Sequence, residues 1–233
     1  MMPSRAARSL IALVAAACSN ASQPDGARVR LSADTFHIAR SVDGRPAPPD
    51  TLFQSLLSVS FEGQPALLQV YHQGDFTGGV VLDSLWMHPR TLEPIRHSRR
   101  SSQLVAHVSF SSGRITGRVS RPNGATQIVD TLFRGRIYDA GASDLVARAL
   151  PLIDDRTVHL TLYVPGYGAN PMRIAWSGRD TIRTRKGILR AAWRLTGSIG
   201  GEPLTMWVAI DNRDLLELVA GDSAAPSVKY TRQ

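Results

Sequence analysis

The sequence predicts a mainly β protein, built as one large curved antiparallel sheet, half-barrel or barrel-like, with a single short helix. Three observations carry that expectation. Apolar residues recur at every second position through much of the chain, turn-forming clusters interrupt them at short intervals, and one segment alone has a helical pattern. Composition agrees. Hydrophobic residues make up 43% and charged residues 20%, a globular balance, while 19 glycines and 14 prolines suit many short elements joined by turns.

The first segment is set apart. Arg5 and Arg8 precede the apolar run Leu10–Ala17, which is far shorter than the ~20 residues needed to cross a bilayer. Residues 1–17 therefore read as a signal peptide, residues 18–27 as a small, polar tether, and residues 28–233 as a single β-rich domain. Ala15-Ala16-Ala17 lead directly to Cys18, the only cysteine. This resembles a bacterial lipobox, with Ala15 departing from the usual Leu, and the resemblance implies lipidation of Cys18. Ordinary cleavage after the same small residues, or a chance cysteine in an uncleaved segment, stay open as alternatives. Ser19 follows where an Asp would retain a lipoprotein at the inner membrane, so in a two-membrane bacterium the resemblance implies an exported, outer-membrane lipoprotein facing the periplasm. The alternative cleavage implies a soluble periplasmic protein. Without a second cysteine, the mature domain has neither a disulfide within it nor a cysteine-based metal site.

Strands follow in order. Leu104, Ala106, Val108 and Phe110 alternate with polar neighbours, as do Val158, Leu160, Leu162 and Val164. Met172, Ile174 and Trp176 repeat the pattern, then Leu189, Ala191, Trp193 and Leu195, then Leu204, Met206, Val208 and Ile210. One face of each is expected to be buried and the other wet, as in antiparallel sheet. Turn clusters lie between them: Ser112-Gly113, Pro122-Asn123-Gly124, Gly166 to Pro171, Gly200-Gly201 and Asp211-Asn212. Roughly ten to twelve strands follow from this spacing. The one helical segment runs from Asp144 to Leu150, with Ser143 as its expected cap and Pro151 as its stop.

The stretch Tyr138-Asp139-Ala140, with Leu145 and Arg148-Ala149-Leu150-Pro151-Leu152, resembles a signature of the bacterial envelope family DUF3108. Gly178-Arg179-Asp180, Arg185-Lys186-Gly187, Leu204 to Trp207, Asp211-Asn212-Arg213 and the turn Thr91-Leu92-Glu93-Pro94 extend the resemblance over about residues 60–220. It implies export and a mostly β architecture, and it brings no catalytic residues. The tryptophan-bearing strand before a polar turn is also similar to outer-membrane lipoprotein-sorting proteins, whose curved sheet shelters acyl chains.

Chemistry-bearing patterns are sparse. His37, His72, His88, His97, His107 and His159 never fall at metal spacing, so they read as surface or satisfied core groups and no metal site is expected. Gly221-Asp222-Ser223 has no following histidine, and Asp154-Asp155 lacks partner carboxylates at calcium-loop spacing. Asp-Thr at 34–35, 50–51, 130–131 and 180–181 lacks the glycine of an aspartic-protease signature. No cofactor and no catalysis are expected.

The net charge is +8, and of 27 basic residues all but Lys186 and Lys229 are arginine. Because they are spread along the chain rather than gathered on one stripe with aromatics, nucleic acid is not an expected partner. Local groups stand at Arg96, Arg99, Arg100 and at Arg183, Arg185, Lys186. They read as solvated surface, or as sites that attract anionic lipid headgroups or lipopolysaccharide.

Trp86, Trp176, Trp193 and Trp207 are all expected on strands, with core packing as their ordinary role. Trp207 breaks the parity of Leu204, Met206 and Val208, which makes it the candidate ligand-binding residue should the concave face of the sheet receive it. The functional expectation is thus a non-catalytic envelope protein that binds an apolar or amphipathic ligand such as a lipid in the curve of the sheet. The alternative is a structural or assembly lipoprotein whose partner is another envelope protein.

Overall fold

The computed structural model describes residues 23–42, 45–74, 79–153, 156–222 and 225–233. Cys18, the signal segment, Asp154-Asp155 and Ser223 lie outside the described residues. Within them the strands are β1 (Ser32–Val42), β2 (Arg45–Pro46), β3 (Asp50–Phe61), β4 (Gln64–Gly74), β5 (Val80–Met87), β6 (Pro94–Arg100), β7 (Val105–Ser111) and β8 (Arg114–Ser120). They continue with β9 (Thr126–Leu132), β10 (Tyr138–Asp139), β11 (Thr157–Val164), β12 (Gly168–Arg183), β13 (Leu189–Ile199), β14 (Glu202–Ala209), β15 (Leu215–Asp222) and β16 (Ala225–Arg232). A 3-10 turn, Ala140–Ala142, leads into the helix α1 (Ser143–Ala149) between β10 and β11.

All the strands belong to one sheet. Its spatial order runs from β10 to β16, then β1, then β3 to β9, with β2 attached to β1. Neighbours are antiparallel except the short parallel pair β10–β11. The first long strand thus pairs with β16 on one side and β3 on the other, fusing the two ends of a long meander. Tight hairpins set the register: Glu62-Gly63 and Gly200-Gly201 each form a two-residue loop with both φ angles positive, the geometry that matches strand twist.

A sheet this wide must curl. Ladder irregularities at Trp86/Met87, Trp176/Gly178, Trp207/Val208 and Ala220/Gly221 bend it further. The result is barrel-like, with α1 enclosed: every residue from Asp144 to Ala149 is buried, and Leu145, Val146 and Leu150 pack into one core with strands from both halves of the sheet. A distant segment secures the helix end. Arg213, at the β14–β15 turn, donates from its guanidinium to the carbonyls of Arg148 (2.7 Å) and Leu150 (2.8 Å).

The roll does not close by a ladder. Among the described residues β9 and β10 are the two ends of the strand order. Instead β7–β9 overlap the outside of β10–β11, burying Val108, Ile115, Val119 and Val129 against Ile137 and Tyr163. Tyr163, on the face of β11 expected to be wet, is therefore buried, its ring edge-on to Phe110 with centroids 5.6 Å apart.

Other expectations are corrected. Ser143 is the first helical residue, not the cap, and the capping interaction lies earlier, where Asp139 accepts from the Gly141 amide at 2.8 Å. Leu189 and Ala191 are exposed, because the β12–β13 hairpin runs past the rim of the roll. Ile210 is exposed too, because it lies beyond the end of β14. The sheet has sixteen strands rather than the expected number, since β2 and β10 are two residues long and β9 buries only Val129. Elements that short or that exposed leave no alternation to detect.

Candidate functional site

Register aligns side chains into rows across the inner face, because directly paired residues share a face. One row across the N-terminal half reads Gln54 (β3), Tyr71 (β4), Asp83 (β5), Arg99 (β6). The next reads Leu56, Gln69, Leu85, His97. Polar groups therefore point inward, where burial demands partners.

They find them on the helix segment. Asp144, in the first turn of α1, accepts from the Tyr71 hydroxyl at 2.9 Å, from Gln54 at 3.3 Å and from Gln69 at 3.5 Å. Arg148 stands 3.5 Å from the same carboxylate, one turn on. Burial, then the neighbouring Asp144 carboxylate, pushes the Tyr71 phenol well above its ordinary pKa, so it stays a hydroxyl donor.

The second connection crosses the open seam. His97 Nδ1 lies 2.7 Å from Asp139 on β10, and its Nε2 lies 2.5 Å from Asp83 on β5. Arg99 donates to the other oxygen of Asp83 at 3.0 Å. Burial alone would lower the imidazole pKa, but the two carboxylates outweigh it and push it up to about 10. His97 is consequently an imidazolium with both N–H groups donated. A histidine so committed has no free nitrogen with which to take a proton from a nucleophile, and it ties β5 and β6 to β10.

Beside these groups lies a chamber of about 310 Å³, the small end of the range for ligand pockets. Apolar side chains from both halves line it, among them Phe36, Leu52, Val81, Leu204, Leu215 and Leu218. Its polar end presents Tyr71, Asp83, Arg99, Asp144 and Tyr230. Gln73, Val81 and Arg99 also line a second cavity of about 290 Å³ that includes Arg40, Leu104 and the exposed Tyr167, so Arg99 stands between the two. The buried Nε of Arg99 has no hydrogen-bond partner among the described residues. Tyr230, within electrostatic reach of Arg40 and Arg99, is raised in pKa chiefly by burial, against the pull of those two cations. The polar end of the chamber thus presents the Arg99 guanidinium group and a neutral phenol.

Trp207 is not there. Its β14 neighbours Leu204, Met206 and Val208 face the interior, and the opposite parity carries Trp207 to the convex face, against Ala192, Ala209 and Leu216. Its indole N–H donates to Asp180 at 3.1 Å, holding that carboxyl below the usual range. The expectation that the concave surface receives Trp207 is corrected: on this strand Leu204, of inward parity, lines the chamber. Cys18 lies outside the described residues. Sequence reasoning passed over the inward polar set, although its signal was present. Asp83 sits at the parity of Val81, Leu85 and Met87, and Gln69 and Tyr71 at that of Leu67.

A profile of the family described as protein of unknown function (DUF3108) matches residues 57–232. The chain belongs to that family. The fold is similar to the crystal structure of a beta-barrel-like protein of domain of unknown function DUF1849 from Brucella abortus. The TM-score is 0.58 at 8% identity, over 88% of this chain and 97% of that one, which is a likeness of fold alone. No curated protein matches the sequence.

Proposed function

We propose that this protein is a non-catalytic binding protein of the cell envelope that holds a small amphipathic ligand inside the rolled sheet, its apolar part in the chamber and its polar head at Arg99 and Tyr230. The observation that carries the reading is the chamber, with apolar walls, one polar end, and a guanidinium N–H left without a partner. A sealed core would have been filled by larger side chains, since protein interiors close-pack. A bound head with hydrogen-bond acceptors pairs with the Arg99 guanidinium, and an anionic head adds charge assistance. Export and an acyl anchor on Cys18 remain part of this proposal and rest on the first eighteen residues.

Binding of an anionic apolar dye, anilinonaphthalene sulfonate, to the folded protein tests it. Leu218→Trp fills the chamber with an apolar ring and is expected to abolish saturable binding while leaving the fold intact. Arg99→Gln is expected to weaken the dye about tenfold or more, the scale of one charged hydrogen bond. Saturable binding that Leu218→Trp leaves unchanged, in a variant that melts like the wild type, would place the dye elsewhere and sink the reading.

A further inference from the structure

Between Arg179 and Trp193 the β12–β13 hairpin is paired with itself, with Asp180, Thr181, Ile182 and Arg183 opposite Ala192, Ala191, Arg190 and Leu189. Among the described residues β11 pairs with β12 only as far as Ala175, and β14 pairs with β13 only from Ala192 onward. The outer part of the hairpin is thus a two-stranded ribbon projecting past the rim. Its turn is a tight one: the Thr184 amide donates to Ile188 O and the Gly187 amide to Thr184 O, both at 2.9 Å, and Gly187 has φ +79°. That turn sets Arg185 and Lys186 at the apex.

Two features of the apex have no use in the fold. Ile188 and Leu189 are 56% and 57% exposed, side by side, where a solvated turn ordinarily carries polar residues. Arg183, Arg185 and Lys186 have no carboxylate partner among the described residues, and Arg183 gives one guanidinium N–H to the carbonyl of Gly187, leaving its other donors for a ligand. The acids near the base of the ribbon are engaged, Asp180 by Trp207 and Asp211 by Arg190. The tip is therefore a cationic apex backed by two exposed aliphatic side chains.

We infer that this hairpin tip docks on anionic phospholipid surfaces, with Ile188 and Leu189 entering the headgroup–acyl boundary and Arg183, Arg185 and Lys186 held by lipid phosphates. Charge complementarity selects the occupant. A neutral apolar partner leaves the cations unmatched, whereas an anionic bilayer offers an apolar layer for the aliphatic side chains and phosphates to which the long basic arms reach back. The inference is independent of what the chamber holds.

A fluorophore attached to the tip tests it without interference from the N-terminal segment. In the full-length chain carrying Cys18→Ser and Ile188→Cys, an environment-sensitive dye at position 188 is expected to shift to the blue on vesicles of phosphatidylglycerol and phosphatidylcholine. It should not shift on pure phosphatidylcholine, and a dye at Thr126→Cys, on the distant β9 edge, should not respond. Adding Arg185→Glu and Lys186→Glu is expected to weaken the response by about tenfold or more, from the contribution of each cation near a charged bilayer. Leu189→Ser should weaken it while leaving its salt dependence in place. No shift on anionic vesicles, an equal shift on zwitterionic ones, or an equal shift at position 126 each overturns the inference.

Discussion

The two halves of the rolled wall solve the problem of an interior in different ways. In the C-terminal half one row runs Trp176, Leu195, Met206, Leu218, Tyr230 and on to Ile38, apolar save for the Tyr230 hydroxyl and the Trp176 indole N–H. In the N-terminal half the row Gln54, Tyr71, Asp83, Arg99 is polar throughout. An apolar wall gains stability from burial but attracts any apolar surface with little preference. A polar wall gains little net stability, yet it accepts only a segment whose groups complete its hydrogen bonds. The difference teaches why α1 sits as it does: the apolar half holds it in, and the polar half fixes its position through Asp144 and Asp139.

The largest effect should come from placing a charge in the apolar half. Leu162 is fully buried in the main core, and Leu162→Asp leaves a carboxylate with no partner there. Loss of the folded state is expected, read as the absence of a cooperative melt. Leu160→Asp should be milder, because Leu160 is only partly buried. A melt of Leu162→Asp like that of the wild type would show that the inward parity of β11 is misread.

In the polar half, Asp144→Ala should cost about 3–5 kcal/mol, since it strands Arg148 and leaves Tyr71, Gln54 and Gln69 without their acceptor. Asp144→Asn keeps an acceptor for Tyr71 and should recover part of the loss. Denaturant titration measures both. If the alanine variant is as stable as the wild type, the helix is held by packing alone and the contrast between the walls collapses.

The apolar half is legible in the sequence because alternation survives there, from Val158 to Val208. The polar half is not, for a physical reason. Inward Gln69, Tyr71, Asp83 and His97 replace the apolar member of each alternating pair, which erases the period that marks a buried face. Their partners on α1 and β10 lie 73 residues from Tyr71 and 42 from His97, separations that no local pattern bridges. The family-like segments around Leu150 and Arg213 were visible, but their meeting at the helix end depends on the sheet's full course. The basic group of the ribbon was legible, but not its projection, because its exposure follows from where β11 and β14 stop.

The seam gives a pH test of the polar half. His97 has a folded-state pKa of about 10 against an ordinary 6.5, so its contribution is fully present below pH 6.5 and is lost as pH rises toward 10. Thermal melts are expected to fall over that window by an amount equivalent to several kcal/mol at most, given the coupling of three buried groups. His97→Gln should be less stable at pH 6 and should lose little more between pH 6.5 and 10. A wild-type profile as flat as that of the variant would mean that the imidazolium does not hold the seam.

The smallest effect, and the sharpest on function, concerns two tryptophans one strand apart. Trp193 points into the main core with Arg179 stacked 4.6 Å from its ring, and Trp193→Ala should cost about 3–5 kcal/mol as a large core deletion. Trp207 lies on the convex face with its N–H on the exposed Asp180. Its loss removes one exposed hydrogen bond and part of a small apolar cluster, so Trp207→Ala should cost about 1 kcal/mol. Because the chamber opens on the other side of the sheet, dye affinity should be unchanged in Trp207→Ala, while Leu204→Ala, on the same strand but facing inward, should alter it. If Trp207→Ala abolishes dye binding at full stability, the ligand occupies the convex face. The apolar wall would then be no more than a core.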